Sequence, residues 1–533
     1  MNGVIAAGDK QTAEAGARIL GEGGNAVDAA VAAAFVSFIS EIGMVHLGGS
    51  GMGHIFDPRT HTSVVYDFFS NMPGLGIELD KSKLDFSRVT VDFGGTTQDF
   101  HIGRGSVAVP GNILGLCQMA ADHGRLPLAQ LLAPAIELAR AGHALPEYQA
   151  HTCQILAPLY THTEGMRQIF AKADNGRIIQ AGERLYIPHL AETLEALAEH
   201  GPSYARTGAL AEALVADQAT HGGLVTAADL AAYEVATHEP IRLPYRDYEI
   251  LLPRPSSTGG VLTAFTLKLL SSFDVGKWAH GSADHLQLLA EAMSATTRAR
   301  RHWELALLAM PVKEAVRGFL DEEFVGNFAA EAALALWKGR PSQSFDEGHK
   351  KPNTSHLSVI DGEGMAVSLT TTAGESAGYV VPGTGYIPNN MLGEDDLHPH
   401  GFHASPAGPR IHTMMCPVVV LKDGRIKLVV GSGGSIRIRS AILQVMSNFL
   451  DFNMPLDEAV AASRVHLEKQ IMQCEGGYDP QSVDELEGLG YQVNRWQGRS
   501  LYFGGAHSVA VQEDGQLTAV GDSRRGGAIA VSH

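Results

Sequence analysis

Apolar positions recur along this chain with two different periods, and the period changes part-way. In the first half the spacing is helical: Gln11 to Glu22 is amphipathic, Gly23-Gly24 interrupts it, and a second helical run continues through Val36. Leu286, Leu289, Ala290 and Met293 fall at i, i+3, i+4 and i+7, the buried face of another helix. Ile241 to Leu252 reads as extended chain around a turn at Pro244-Tyr245-Arg246-Asp247. In the second half the period drops to strands. Leu357 to Ile360, a turn at Asp361-Gly362-Glu363-Gly364, and Met365 to Thr372 form one pair, and Pro417 to Leu421 with Lys427 to Val430 form another. Ile438, Ile442, Val445, Met446 and Phe449 then share a helical face, and a final helix and strands follow, including His507 to Gln512 and Leu517 to Val520. Strands flanked by helices in both halves predict an α/β (α+β) chain with sheets held between helical layers.

Between the two regimes lies a segment without apolar periodicity. Pro341 to Asn353 reads PSQSFDEGHKKPN, polar and rich in breakers, and Thr354 stands where it meets the first strand of the second half. If the Asn353–Thr354 bond breaks, Thr354 carries a hydroxyl nucleophile and a free amine on one residue. An α-amine titrates near pH ~8, low enough for a useful neutral fraction, so it can take the hydroxyl proton directly or through a water. The stiff χ1 of threonine helps hold the hydroxyl in one orientation. A threonine after a loop is, by itself, more often structural than catalytic.

Further on, Gly431-Ser432-Gly433-Gly434 separates a β-rich run from a helical one. Amides at a helix N-terminus point outward, and glycine lets a ligand approach them, as an oxyanion requires. The plainer reading is a tight turn. A dinucleotide fingerprint fails, because the sixth position is Ile436.

Four blocks in order give the chain a likeness: Gly23-Gly24-Asn25-Ala26-Val27-Asp28-Ala29-Ala30, Pro255-Ser256-Ser257-Thr258-Gly259-Gly260, Thr354-Ser355-His356-Leu357-Ser358-Val359-Ile360-Asp361, and Gly431 to Gly434 followed by Ile438 to Leu450. Weaker echoes lie at Ser106 to Gly111 and Asn389-Asn390. Together they resemble the γ-glutamyltranspeptidase family of N-terminal-nucleophile hydrolases. The resemblance implies a four-layer αββα sandwich, self-cleaved at Asn353–Thr354 into a large subunit, 1–353, and a small one, 354–533, that remain one intertwined body. It implies catalysis by Thr354, supported by Thr372 eighteen residues on, with Gly433 and Gly434 as the oxyanion-hole pair. The register of that pair is open by one residue, since glycine stands where the family usually has proline.

At the family's substrate-binding positions the chain departs from the pattern. The arginine that grips the substrate α-carboxylate falls on Phe69, the asparagine beyond the second threonine on Gly374, and the glutamine after the paired asparagines, whose second member is Asn390, on Met391. Of two neighbouring serines one is Thr413 and the other Met414. Glu394 keeps the acid that receives the α-amino group. Loss of an arginine–carboxylate fork weakens glutamyl binding by about a hundredfold or more unless Arg104, Arg437 or Arg439 replaces it. The expected activity is cleavage of a γ-glutamyl, glutathione-type amide, with transfer to water or an amine. A non-glutamyl amidase or acylase of the same family is the nearest alternative, and an uncleaved small-molecule-binding relative is the alternative from another class.

Composition narrows the partners. Lys and Arg total 40 against 58 Asp and Glu, a formal charge of −18 over 533 residues, which argues against nucleic acid and anionic membrane surfaces. No apolar run approaches a membrane span, and Met1-Asn2-Gly3-Val4 does not open a secretory signal, so a cytoplasmic protein is expected, or a periplasmic one if a signal precedes this start. Cys117, Cys153, Cys416 and Cys474 lack metal or redox spacing and read as buried thiols. His398, His400, His403 and His412 cluster locally without ordered spacing, so they read as a loop lining the pocket ahead of a zinc site, and the proposed chemistry needs neither metal nor cofactor. Arg524-Arg525 reads as a surface or subunit-contact pair.

Overall fold

A strand whose every residue is buried has to be covered on both faces, and Ser355–Asp361 is such a strand. In the computed structural model, which describes residues 2–92, 97–172, 175–342, 354–398 and 400–533, its alternate side chains enter two different cores. Leu357 and Val359 pack among helices, while Ile360 faces a second sheet. The same alternation runs through the neighbouring strands and defines four layers.

The first sheet contains β1 (Gly3–Ala7), β2 (Ser50–Asp57), β3 (Thr62–Phe68), β4 (Ala236–His238), β7 (Ser355–Asp361), β8 (Ala366–Thr372) and β13 (Ala528–Ser532). The second contains β5 (Ile241–Tyr245), β6 (Tyr248–Leu252), β9 (Val418–Lys422), β10 (Arg425–Val430), β11 (Ser508–Val511) and β12 (Leu517–Val520). Their orders are β13-β1-β7-β8-β2-β3-β4 and β12-β11-β10-β9-β6-β5. All pairings are antiparallel.

Val4, Ala6, Phe56, Leu251, Val419 and Val429 fill the space between the sheets. On the outer side of the first sheet lie α1 (Lys10–Gly21) and α2 (Ala26–Ser40). The second helix is longer than its sequence suggests, running four residues past Val36, and it is buried all round, which its alanine content allows. Asn25 caps it, with Asp28 completing the capping box, and Asp361 on β7 accepts the Ala26 amide at 2.9 Å. On the outer side of the second sheet, α3 (Thr258–Leu270), α4 (Ala283–Ala309) and α5 (Arg437–Leu450) cover the apolar face. Ile438, Ile442, Val445, Met446 and Phe449 are among the side chains that do so, and Leu286, Leu289, Ala290 and Met293 share a smaller core.

Both sheets take strands from either side of Thr354. Residues before it supply β1 to β6, and residues after it supply β7 to β13. No line drawn at residue 354 divides the molecule into two cores.

The turn that precedes β13 is fixed by a buried ion network. Arg464 reaches Asp522 at 2.7 Å, and Arg524 reaches Glu475 at 2.5 Å and Asp522 at 3.3 Å. Of the two readings of Arg524-Arg525 from sequence, a surface or a subunit-contact pair, the surface one is corrected here. Both are buried, because the chain returns to pair β13 with β1 and carries the turn inside. Arg464 and Arg524 hold the Asp522 carboxyl below the usual carboxylate range against the opposing effect of burial. Asp522→Ala leaves both guanidinium groups under-compensated and is expected to lower stability by about 3–5 kcal/mol, measured by urea unfolding at neutral pH.

Candidate active site

Thr354 precedes the first residue of β7 and is buried. Ser355 pairs with Thr371 and Ser50 with Thr372, so Thr354 and Thr372 stand at one end of the first sheet. The loop between β10 and α5 closes over this end. Its three glycines are there for close approach. A Cβ on Gly431 would run into the His356 ring, and one on Gly433 would overlap the Thr354 carbonyl oxygen. Gly434 has φ +118° and Ser435 φ +55°, so the chain reverses at 434–435. The sequence reading of these amides as a helix N-terminus is corrected: α5 begins only at Arg437, and the glycines precede its first turn.

Two groups grip the Thr354–Ser355 pair. Arg525 donates from Nη1 to the Thr354 carbonyl at 3.0 Å. Glu41, the residue that caps the C-terminus of α2, accepts short hydrogen bonds from Ser355 Oγ and, at 2.8 Å, from Thr12 Oγ1. Burial, with Asp9 nearby, pushes the Glu41 carboxyl up to about 7, against the pull of the Ser355 bond. Burial likewise raises Asp9 to about 6. Sequence places neither residue in the site: it does not single out Glu41, and it marks Arg525 only as half of a surface or subunit-contact pair. A lone acid after an apolar helix and a basic pair near a glycine turn carry no spacing signal.

Past Thr372 the chain turns sharply. Thr372 Oγ1 accepts the Gly374 amide at 3.1 Å. Gly374 has φ +65°, and a Cβ there would overlap Asn390 Oδ1. That oxygen accepts the Glu375 amide at 2.7 Å. Six residues on, Asp396 accepts Ser435 Oγ at 2.6 Å, so the Asn390–Asp396 segment joins the Thr372 turn to the glycine loop. Glu394 lies inside this segment, fully buried. Burial first, and then the neighbouring Glu375 and Asp396, raise its carboxyl well above the usual range.

Phe69 and Met391 fall in one apolar cluster with Met52, Met72, Ile411 and Met415, and both are buried. Thr413 is tied elsewhere. Its amide donates to Ser256 O at 3.0 Å, its hydroxyl accepts from the Met415 amide at 3.2 Å, and Met414 joins the core under the second sheet. Arg104 is committed to Asp217 at 3.1 Å and Asp85 at 3.4 Å, with Tyr379 beneath it. Arg437 packs behind Gly434 with its Nε on the Tyr502 carbonyl at 2.8 Å, and Arg439 lines a separate cavity of about 250 Å³ with Glu291 and His466. The histidines diverge: His398 bonds the Met391 carbonyl, His403 the Gly105 carbonyl, and His400 is exposed. Among the described residues no group of three His, Cys, Asp or Glu could hold a metal ion. All four cysteines are buried free thiols. Among the described residues no helix is long and apolar enough to cross a membrane.

Residues 12–532 match the family model described as Gamma-glutamyltranspeptidase. The chain belongs to that family. It is an enzyme lineage whose members include hydrolases and transferases. The chain is 34% identical to the acylase ACY 1 proenzyme of Pseudomonas sp. (strain V22), over 97% of this chain and 91% of that protein. It is 30% identical to the glutathione hydrolase proenzyme of Escherichia coli (strain K12), over 98% and 90%. The structure of a cephalosporin acylase from Bacillus halodurans superposes with a TM-score of 0.82 at 23% identity, covering 100% of this chain and 96% of that one, and shares the sandwich.

Two substitutions probe the geometry. Gly433→Ala is expected to cost about 1–3 kcal/mol, because its methyl lands on backbone that cannot swing away. Gly488→Ala, where a Cβ meets open space, should be neutral or stabilising in the same denaturant titration. For Glu41 the unfolded carboxyl ionises near its ordinary 4.5 while the folded one keeps its proton to about 7, so rising pH through that window lowers stability. Glu41→Gln is expected to flatten the fall of Tm between those pH values, with Asp9 retaining part of the slope.

Proposed function

We propose that this chain is an autocatalytically processed amide hydrolase or acyltransferase whose acyl pocket suits a group other than γ-glutamyl. Asn353 lies outside the described residues, and cleavage of the Asn353–Thr354 bond is inferred from the family and from the proenzyme names of its relatives. The fragments 1–353 and 354–533 would stay together, since both sheets draw strands from each.

In this reading the Thr354 hydroxyl gives its proton to the α-amine and attacks the substrate carbonyl. The tetrahedral oxyanion collapses to an acyl-enzyme as the amine leaves with a proton, and water or a second amine then releases the acyl group. Gly433 and Gly434 would supply the oxyanion loop, each amide donor lowering the barrier by roughly 3–4 kcal/mol. Thr372, held by the Gly374 amide, would support the nucleophile.

The observation that carries the substrate assignment is the placement of Phe69 and Met391 together in buried hydrocarbon. By the family resemblance Phe69 would stand at the position of the arginine that grips the α-carboxylate and Met391 at that of the glutamine, and burying a carboxylate against such side chains without a partner is strongly unfavourable. Glu394 and Asn390 would then border the acyl pocket along the Gly374 turn, with Thr413 standing behind it as support. The γ-glutamyl alternative rests on Glu394 as the partner of a substrate ammonium. Burial and the neighbouring Glu375 and Asp396 disfavour its ionised form, which works against that role.

The decisive assay compares kcat/KM for a γ-glutamyl anilide and for anilides with uncharged acyl groups. A preference of about a hundredfold or more for an uncharged acyl group is expected. Equal or better turnover of the γ-glutamyl compound overturns the substrate assignment. Thr354→Ala is expected to remain one chain on denaturing gels and to lose amidase activity by about a thousandfold or more. A processed, active variant removes Thr354 from the chemistry.

A further inference from the structure

Arg525 differs from its neighbour in a way the fold does not require. Arg524 is neutralised by Glu475 and Asp522. Among the described residues no carboxylate pairs with Arg525. Its Nε and Nη2 rest on the Leu501 carbonyl at 3.3 and 3.2 Å, its stem packs on Gly505, and Nη1 donates to the Thr354 carbonyl. The same guanidinium flanks the glycine loop: a Cβ built on Gly433 would lie 3.1 Å from Nη1, and one on Gly434 3.2 Å from Nη2. A buried cation that no described carboxylate pairs with directly, the nearby Asp522 being committed to Arg464 and Arg524, is thus fixed to the residue assigned as nucleophile, on the side of the oxyanion loop.

We propose that Arg525 is a positioning residue that sets the proton affinity of the Thr354 α-amine, keeping it neutral and able to act as base at a lower pH than an ordinary chain terminus. The inference rests on the reading of Thr354 as an N-terminal nucleophile. The amine and the carbonyl that Arg525 holds belong to the same residue, so an ammonium there would sit beside a fixed positive charge. Like charge disfavours the protonated form. A guanidinium stays charged at every pH the enzyme meets, so the bias does not titrate away.

The other groups around this end of the sheet act in mixed directions. Arg437, behind Gly434, adds to the effect. Glu41 acts through Ser355, Asp396 through Ser435, and Glu375 and Glu394 lie beyond Thr372; ionised, they would oppose it. Burial favours the neutral forms of Glu41 and Glu394, which weakens that opposition. His356 on β7 and His507 behind it are held neutral by burial and contribute little charge.

The test has two parts. In the processed parent enzyme, the Thr354 amine is titrated by competitive acetylation across a pH series, read by mass spectrometry of the terminal peptide. It is expected to titrate below pH ~7, against ~8 for an ordinary α-amine. Arg525→Gln, once processed, should raise that value and the acid limb of kcat/KM together by about one pH unit. Arg525→Lys, which keeps the charge, should leave the limb close to the parent's. A parent amine that titrates at the ordinary value overturns the proposal, whether or not the glutamine variant folds. So does a processed Arg525→Gln enzyme with an unmoved limb. If no fragment begins at Thr354, the nucleophile reading itself fails and takes this inference with it; an active fragment with an ordinary amine sinks only the inference.

Discussion

A strand buried on both faces cannot leave a polar side chain unsatisfied, and β7 carries four of them. Ser355 donates to Glu41, His356 bonds Thr370 at 2.9 Å and Ser358 at 3.0 Å, Ser358 donates to the His507 carbonyl at 3.0 Å, and Asp361 accepts the first amide of α2. Apart from the His356–Ser358 bond within the strand, these bonds reach different elements. The strand is thereby fixed along its length against α2, β8 and the segment entering β11, and the residue before it inherits that precision. Rigidity at Thr354 is a by-product of satisfying the strand behind it.

The glycine loop depends on the same constraint. Gly431 lies close against the His356 ring, whose orientation the strand has already set, and Gly433 meets the Thr354 carbonyl. Side chains at either position would hold the loop away from the sheet. From the other direction, Asp396 ties Ser435 to the segment that also fixes the Thr372 turn. The candidate site is therefore a ring of short connections between one strand pair and two loops, and it has no single anchoring element.

Much of the fold was legible in sequence because its signals are periodic. The β7–β8 pair, the β9–β10 pair and the apolar face of α5 follow directly from alternation and from the 3.6-residue repeat. The four-layer architecture came from the family resemblance, since periodicity does not say which sheets stack. Within the site, Thr354, Thr372, Gly433 and Gly434 could be named from motif and spacing, and the structure brings them to one end of the first sheet. The turn itself proved to be built on Gly434 and Ser435, because a backbone reversal is written in φ and a serine does not announce it. Arg525 was misread for a physical reason. A basic pair beside glycines resembles a solvated turn, and only the long-range pairing of β13 with β1 turns it inward.

That pairing also imposes an order of events. Arg525 precedes β13, which pairs with β1 along five consecutive positions, while the Asn2 amide bonds the Ser532 carbonyl at 2.8 Å. During synthesis β1 must therefore wait for the chain through Ser532 to leave the ribosome before it gains β13 as its neighbour. The guanidinium beside Thr354 arrives with that last strand. A nascent chain thus carries Thr354 without the cation beside it until Arg525 has been made and β13 has docked, so the complete arrangement is available only to a folded molecule.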